Sequence, residues 1–263
     1  MDQPTPTSAD ALSLSQPDFV TALARGLSVI RALGEEGSPA TLAEIARRVG
    51  LARATARRSL ITLQTLGYVE SDGRTFSLTS KVLSLGYSYL SSIPLARASK
   101  SCLEDVSSTL NETSGTAILD GDDVVLLVRV PVQRMINPGI PSGSRLPAYC
   151  TATGHVLLSG QPDETIDEYL ARLNPEPLTP HTETDVARIR ESILETRRCG
   201  YAFQCEQAEI GIQAISVPIE NPSGRTVAAM NVVAPLARAS EAEMVERFLP
   251  LMRKKAEEIG RAL

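Results

Sequence analysis

Apolar residues in the first third of the chain recur with a helical period, and the breaks in that period predict where each helix ends. Residues 1–17 are rich in Pro, Ser and Thr, show no sustained period and predict a disordered tail. From Phe19 onward Val20, Leu23, Leu27, Ile30 and Leu33 fall on one stripe, which Gly34, Gly37 and Pro39 terminate. Thr41 opens a second helix with a capping box: its hydroxyl accepts from the backbone near Glu44, and Glu44 reaches back to the Thr41 N–H. Leu42, Ile45, Ala46 and Val49 form the apolar face of that helix. Gly50 permits a sharp turn, Leu51 is placed to pack between two helices, and a third helix runs from about Ala52 to near Gly67.

On the third helix, a rotation of about 100° per residue gathers Ala56, Leu60 and Leu63 on one side. Thr55, Arg57, Arg58 and Thr62 spread over the other side, with Arg53 at the leading turn. The following run, YVESDGRTFSL, reads as a hairpin whose Asp72-Gly73 pair is a favoured two-residue turn, with Arg74 at its tip. A hairpin this small is marginal alone, so it must lean on the helices through Val69, Phe76 and Leu78. Helix, tight turn, basic helix and hairpin are the parts of a winged helix-turn-helix, which lays its second helix in the major groove of DNA. A solvated basic face on an ordinary helical domain would explain the arginines alone. It would not explain the capped preceding helix and the hairpin together. The DNA-facing set is therefore Arg25, Thr41, Arg53, Thr55, Arg57, Arg58, Thr62 and Arg74.

Residues 79–92 read as a helix that is apolar almost all round, through Val82, Leu83, Leu85, Tyr87, Tyr89 and Leu90. A water-exposed connector would not carry that pattern, which predicts packing against a second copy of itself. Pro94 marks its end. Beyond it the pattern mixes two periods. A helix is expected over 95–112, then strands at SGTAILD and VVLLVRV around an Asp-rich turn, a Pro- and Gly-rich loop over 131–148, and a short helix at TATGHVLLS. Helices at 163–173 and 185–199, the latter stopped by Gly200, precede strands at YAFQC, IQAISVPIE and RTVAAMNVV. Ser240 and Glu243 form another capping box at the start of a final helix. The expected architecture is α+β: a tail at 1–17, a winged helix-turn-helix at 18–78, a linker helix at 79–93, and a sensor domain with a largely antiparallel sheet at 94–263.

Net charge is −5, which alone argues against a nucleic-acid binder. The distribution of that charge argues the other way: residues 18–81 carry nine bases and six acids, a surplus of three, whereas the residues after 81 carry 17 bases and 23 acids. No apolar run approaches the ~18 residues of a membrane span, and no signal-peptide pattern opens the chain, so a cytoplasmic protein without membrane contact is expected. The four cysteines, Cys102, Cys150, Cys199 and Cys205, are scattered without C-x-x-C and read as reduced and mostly buried, the alternative being a redox pair of Cys199 with Cys205. Two histidines are little material for zinc, and no cofactor is expected. An enzyme reading would pair the Cys150 thiol with His155, but five residues on a helix turn these side chains apart and no acid partner is indicated. Neither G-x-S-x-G nor H-E-x-x-H is present. A DNA-binding protein without a ligand would leave the C-terminal two-thirds of the chain unused.

The chain resembles the isocitrate-lyase-regulator (IclR) family of bacterial transcriptional regulators over almost all of Phe19 to Leu263. The likeness is carried by ARGLSVI, GLARATARRSLITLQTLGYV, GSRLPAYCTATGHVLLS, LTPHT, RRCGYAFQCEQAEIGIQAISVPI and GRTVAAMNVVAP, in that order and spacing. It is strongest to the β-ketoadipate-pathway branch, whose members respond to protocatechuate, 4-hydroxybenzoate or related aromatic metabolites. The resemblance implies a GAF-like effector-binding domain, a regulator of aromatic catabolism on palindromic operator DNA, a homodimer often paired into a tetramer, and RNA polymerase as a further candidate partner. A short-chain carboxylate is the alternative effector. Carried over position by position, the ligand site would comprise Thr151, Ala152 and Thr153 at a helix start, Gln204, Ile212, Ala214, Asn231 and Val233 on strands, and Arg134 as carboxylate partner. For Arg134 the alternative is a surface or inter-subunit ion pair. Arg145 is expected to order its own loop, and Glu206 to pair with a nearby base. Two departures fall near this site: Ile210-Gly211-Ile212-Gln213-Ala214 replaces the usual Leu-Gly-Leu-Arg-Ser, and His155 stands where Arg or Lys is frequent.

Overall fold

A computed structural model describes residues 18–35, 39–86, 93–132 and 140–263. The chain divides into two compact units, Met1–Tyr89 and Leu90–Leu263.

In the N-terminal unit three helices, α1 (Thr21–Glu35), α2 (Leu42–Arg48) and α3 (Arg53–Thr65), enclose a core of Val29, Leu33, Ile45, Leu60 and Leu63. The capping box is formed: the Thr41 N–H donates to Glu44 Oε2 at 2.7 Å and the Glu44 N–H to Thr41 Oγ1 at 3.4 Å. Gly50 takes φ +65°, which lets the Leu51 N–H return to the Ala46 carbonyl at 3.0 Å and starts α3 at a sharp angle. Leu51 is half-buried.

The expected apolar stripe of α1 is corrected at its N-terminal end. Val29, Ala32 and Leu33 are buried, but Val20, Leu23 and Leu27 remain 61%, 63% and 49% exposed. Only the C-terminal half of α1 meets the other elements of its core, so the first turns carry an apolar edge outside it.

The hairpin pairs β2 (Val69–Ser71) with β3 (Thr75–Leu78), and β3 also pairs with β1 (Ala40–Thr41), a strand that the sequence pattern did not predict. Two residues are too short for periodicity to register. The tip also differs from the expected two-residue turn. Ser71 pairs with Phe76, leaving a four-residue loop. The Asp72 carboxylate accepts from the N–H groups of Arg74 (2.8 Å) and Thr75 (2.7 Å), which supplies the turn in place of a direct ladder and holds the carboxyl below the usual range. That contribution is present above the ordinary carboxylate pKa and is lost as pH falls through the lowered value. After the wing a 3₁₀ turn (Ser80–Val82) and helical residues 83–86 follow, with Leu83 and Leu85 exposed; Tyr87, Tyr89 and Leu90 of the expected linker helix lie outside the described residues.

The C-terminal unit opens with α4 (Pro94–Leu110). Pro94 begins this helix, where its missing N–H costs nothing. Six strands follow in one antiparallel sheet of order β6-β5-β4-β9-β8-β7: β4 (Thr113–Asp120), β5 (Asp123–Val130), β6 (Arg145–Pro147), β7 (Ala202–Cys205), β8 (Ile212–Glu220) and β9 (Thr226–Pro235). β6 was expected within a loop over 131–148; pairing with β5 makes it a strand. One face of the sheet packs α4 and the C-terminal helical run α8 (Glu241–Glu243, a π turn at Met244–Phe248, then Leu249–Arg261) through Leu103, Val106, Ile215, Val217, Met230 and Met252. The other face packs α5 (Ala152–Ser159), α6 (Asp163–Arg172) and α7 (Val186–Cys199) through Val156, Leu157, Ile166, Tyr169, Ile189 and Ile193. The αL caps at Asn111 and Gly200 and the Ser240–Glu243 capping box bound these helices.

Gly154 lets α5 close on the turn before it, since a Cβ there would lie 2.1 Å from the Ala148 carbonyl oxygen. Gly154→Ala should therefore destabilise the C-terminal unit by at least about 1–3 kcal/mol, seen as a lower urea midpoint by circular dichroism; an unchanged midpoint would contradict this packing.

Candidate functional site

The exposed face of α3 presents Arg53, Arg57, Arg58 and Thr62, Thr55 is half-buried beside them, and Arg74 is exposed at the wing. None of these four arginines forms an ion pair with a described residue. In the C-terminal unit, by contrast, Arg145, Arg172, Arg190, Arg197 and Arg238 are all paired with carboxylates. Guanidinium groups held on a rigid helix without protein carboxylates suit phosphates or guanine edges. Thr41 has its hydroxyl committed to the capping box, and Arg25 is half-buried.

The C-terminal unit contains a cavity of about 290 Å³ between the sheet and the start of α5. Thr151, Ala152, Thr153, Gln204, Ile212, Ala214, Asn231 and Val233 all line it, so the register assembles every expected ligand-site residue except Arg134, which lies outside the described residues. Strand parity is the cause. Gln204 pairs with Ala214, Ala214 with Val233, and Ser216 with Asn231, which puts these side chains on one face. Between two lining residues, Asn231 on β9 and Arg129 on β5, lies Gly115 on β4, paired with both. A Cβ at Gly115 would lie 2.8 Å from Asn231 Oδ1, so the bare position leaves room for that amide.

Arg129 is the cation on this wall, and sequence reasoning missed it. Strict alternation in VVLLVRV puts Arg129 opposite Val124 and Leu126. A bulge between Thr116 and Ala117 of β4 and their partners Val128 and Leu126 inserts Leu127, and brings Arg129 to the face of Leu126. The only available signal was a lone charge in an apolar strand. Burial lowers its pKa but leaves the guanidinium charged.

At the start of α5 the Thr151 hydroxyl accepts from the Gly154 N–H at 3.1 Å, leaving the Ala152 and Thr153 N–H groups at the helix's positive end on the cavity wall. Asn231 Nδ2 donates to Thr153 Oγ1 at 3.1 Å and joins the helix to the sheet. Leu126, Ile140, Leu146 and Pro235 complete an apolar wall, and Gln207, Ala208 and Glu209 form the rim. That rim is held by the LTPHT segment: the Thr179 hydroxyl donates to the Glu206 carbonyl and the Thr182 hydroxyl to the Gln207 carbonyl, both at 2.6 Å. Glu206 pairs with His181 at 3.6 Å and accepts from the Gly211 N–H. Arg145 binds Asp120 and Asp123 and ties β6 to the β4–β5 turn.

His155 lies beneath the cavity, not on its wall, and is fully buried. Its Nε2 is 2.6 Å from the Tyr149 carbonyl, and its Nδ1 meets Ser192 Oγ at 3.0 Å and Gln204 Nε2 at 3.1 Å. Burial lowers its pKa. The Cys150 thiol contacts the Pro147 carbonyl instead of this imidazole, and burial pushes it up to about 11. All four cysteines are free; Cys102 and Cys150 are buried, Cys205 is half-buried and Cys199 is exposed. Among the described residues no cluster of three or more His, Cys, Asp or Glu could hold a metal, and no helix is long and apolar enough to cross a membrane.

A helix-turn-helix joined to a sheet-bounded small-molecule cavity defines a ligand-responsive DNA-binding protein. Residues 22–73 match the IclR helix-turn-helix domain and residues 87–261 match the bacterial transcriptional regulator IclR C-terminal domain. The chain belongs to the IclR family of bacterial transcriptional regulators, and its N-terminal unit is a DNA-binding module. It is 42% identical to the Pca regulon regulatory protein of Pseudomonas putida, over 90% of this chain and 81% of that one. It is 35% identical to the p-hydroxybenzoate hydroxylase transcriptional activator of Acinetobacter baylyi, over 92% and 91%. Among solved structures, an IclR homolog from Microbacterium hydrocarbonoxydans complexed with 4-hydroxybenzoate superposes with a TM-score of 0.79 at 25% identity, covering 92% of this chain and 98% of that one.

The cysteine environments are separable in solution. With a thiol-alkylating reagent at neutral pH, peptide mass spectrometry should find Cys199 modified and Cys150 protected until the protein is denatured. Rapid native labelling of Cys150, which is buried at the cavity wall, would contradict the burial and raised pKa described for it.

Proposed function

We propose that this protein regulates aromatic-compound catabolism, binding a palindromic operator as a homodimer and sensing a small aromatic carboxylate such as 4-hydroxybenzoate or protocatechuate. The observation that carries the effector reading is that Arg129 and the α5 N-terminus both line a mostly apolar cavity. A carboxylate is met there by a charged fork and two backbone N–H groups, and a ring by aliphatic side chains. The cavity volume falls near the low end of the roughly 300–1,000 Å³ typical of ligand sites, which suits a single ring. The regulatory roles of the two relatives and the 4-hydroxybenzoate bound by the Microbacterium homolog point the same way. Arg129 is then the carboxylate partner, and Arg134 the alternative.

Isothermal titration of 4-hydroxybenzoate decides between them. Arg129→Gln should weaken binding by more than about tenfold, the loss of a charged hydrogen bond being worth roughly 1.5–3 kcal/mol, whereas Arg134→Gln should bind nearly normally. The reverse result would move the anchor to Arg134. A screen in which short-chain acids bind and benzoates do not would replace the aromatic reading.

On the DNA side, Arg53, Thr55, Arg57, Arg58 and Thr62 face the major groove, with Arg25, Thr41 and Arg74 toward the backbone. The exposed edge Val20, Leu23 and Leu27 and the exposed Leu83 and Leu85 support a second copy packing against the N-terminal region. Two recognition helices would then reach successive grooves about 34 Å apart. The effector shifts operator affinity only by binding the two dimer geometries unequally. Pairing into a tetramer and contact with RNA polymerase belong to the same proposal.

Arg57→Ala or Arg58→Ala should weaken operator binding by about 1–3 kcal/mol where the side chain reads a base, and lower the salt slope by about one where it meets a phosphate. Fluorescence anisotropy across a salt series measures both, and unchanged curves in both variants would remove α3 from the groove. Leu23→Glu should lower the mass seen by light scattering toward that of one chain.

A further inference from the structure

His155 is a fully buried titratable side chain with a partner, Gln204, on the cavity wall. The Tyr149 carbonyl 2.6 Å from its Nε2 can only accept, so the ring proton is on Nε2. The imidazole is buried and its pKa is lowered by that burial, so it is neutral and Nδ1 carries a lone pair. Two groups meet this lone pair, Ser192 Oγ at 3.0 Å and Gln204 Nε2 at 3.1 Å. Whichever donates more strongly, a carbonyl oxygen in the place of Gln204 Nε2 would set two lone pairs against each other. The amide of Gln204 thus has one permitted orientation, NH₂ toward His155 and Oε1 away from it. Gln204 lines the cavity, and its Oε1 accepts from no described residue.

We infer that His155 is a positioning residue that holds the Gln204 carbonyl oxygen toward the cavity, so that the site selects aromatic acids carrying a hydroxyl or amino donor on the ring over ring-matched acids without one. A free glutamine amide could turn either end to a ligand and would accept donors and acceptors alike. This one cannot. A ring substituent that only accepts leaves Oε1 desolvated without a partner, which is the costly half of the hydrogen-bond asymmetry. The inference rests on the aromatic-acid reading and adds to it which ring substituents are recognised and why.

The full-length protein is titrated with benzoates bearing hydroxyl, amino or fluoro groups at the 3- or 4-position, beside benzoate itself. In the wild type the best hydroxyl and amino compounds should bind at least about tenfold more tightly than their fluoro counterparts. Gln204→Leu should bring that ratio near one, because the hydroxyl and amino compounds lose their advantage over the fluoro compounds. His155→Arg, whose guanidinium keeps its charge on burial and can only donate, should turn the amide over: the aminobenzoates fall below the fluorobenzoates while the hydroxybenzoates, able to accept, persist. Nitrogen-15 NMR of histidine-labelled protein reads the tautomer without ligand and should find His155 protonated at Nε2 with Nδ1 bare. A folded His155→Arg that keeps the wild-type order of preference would overturn this inference; if that variant fails the circular-dichroism check for folding, Gln204→Leu and the tautomer decide. Benzoates that bind without preference for donors, a preference that survives Gln204→Leu, or a proton on Nδ1 would overturn this inference and leave the aromatic-acid effector standing. No binding of any benzoate would overturn that reading and this one with it.

Discussion

Strand β4 pairs with β5 on one side and β9 on the other, and the C-terminal unit depends on that double pairing. It divides the apolar residues into two cores, so that each face of the sheet is covered by helices and little apolar strand surface meets water. It also brings Arg129 and Asn231 to either side of Gly115, a position without a side chain in the middle of a close-packed sheet. Gly115 contributes no side chain to that layer, and Asn231 occupies part of the room it leaves. A strand this central would otherwise be expected to carry a β-branched residue there. The stability forgone is local, and the result is a polar recess bounded by a rigid frame.

Polar groups around that recess are arranged to limit the cost of burial. A guanidinium stays ionised when partly desolvated because its intrinsic pKa is so high, whereas an imidazole in the same surroundings loses its charge. The cavity therefore has a permanent cation on its wall and a neutral ring beneath its floor. Those states suit Arg129 to the anchoring role proposed for it and His155 to that of a fixed hydrogen-bond partner, two tasks that could not be exchanged. The Cys150 thiol is raised out of the nucleophilic range by burial.

The N-terminal unit treats charge differently. Its capping box fixes the start of α2 at a gain of about 0.5–2 kcal/mol over an uncapped end, and Gly50 then sets the angle at which α3 leaves. Arginines on α3 form no ion pair with a described carboxylate, although the chain as a whole is acidic. The contrast with the paired arginines of the other unit lies in placement more than in net charge, and placement is what the proposed nucleic-acid surface depends on.

Much of this was legible in the sequence, because the cues are local. The Thr41–Glu44 and Ser240–Glu243 capping boxes, the Gly50 and Gly200 stops and the period of each helix depend on residues three or four apart. So does the parity that puts Gln204, Ile212, Ala214, Asn231 and Val233 on one side of their strands. Other features depend on partners far along the chain. β1 and β6 are strands only because β3 and β5 pair with them. The exposed start of α1 reflects how far the small core extends. Arg129 faces the cavity because a bulge in pairing with β4 displaces the alternation, and no pattern within β5 encodes that slip. The link from His155 to Gln204 spans 49 residues. Alone, then, the sequence determined most of the elements, their order and the parity of the site; the tertiary structure decided which cation and which amide line the cavity, because register and burial are properties of paired segments.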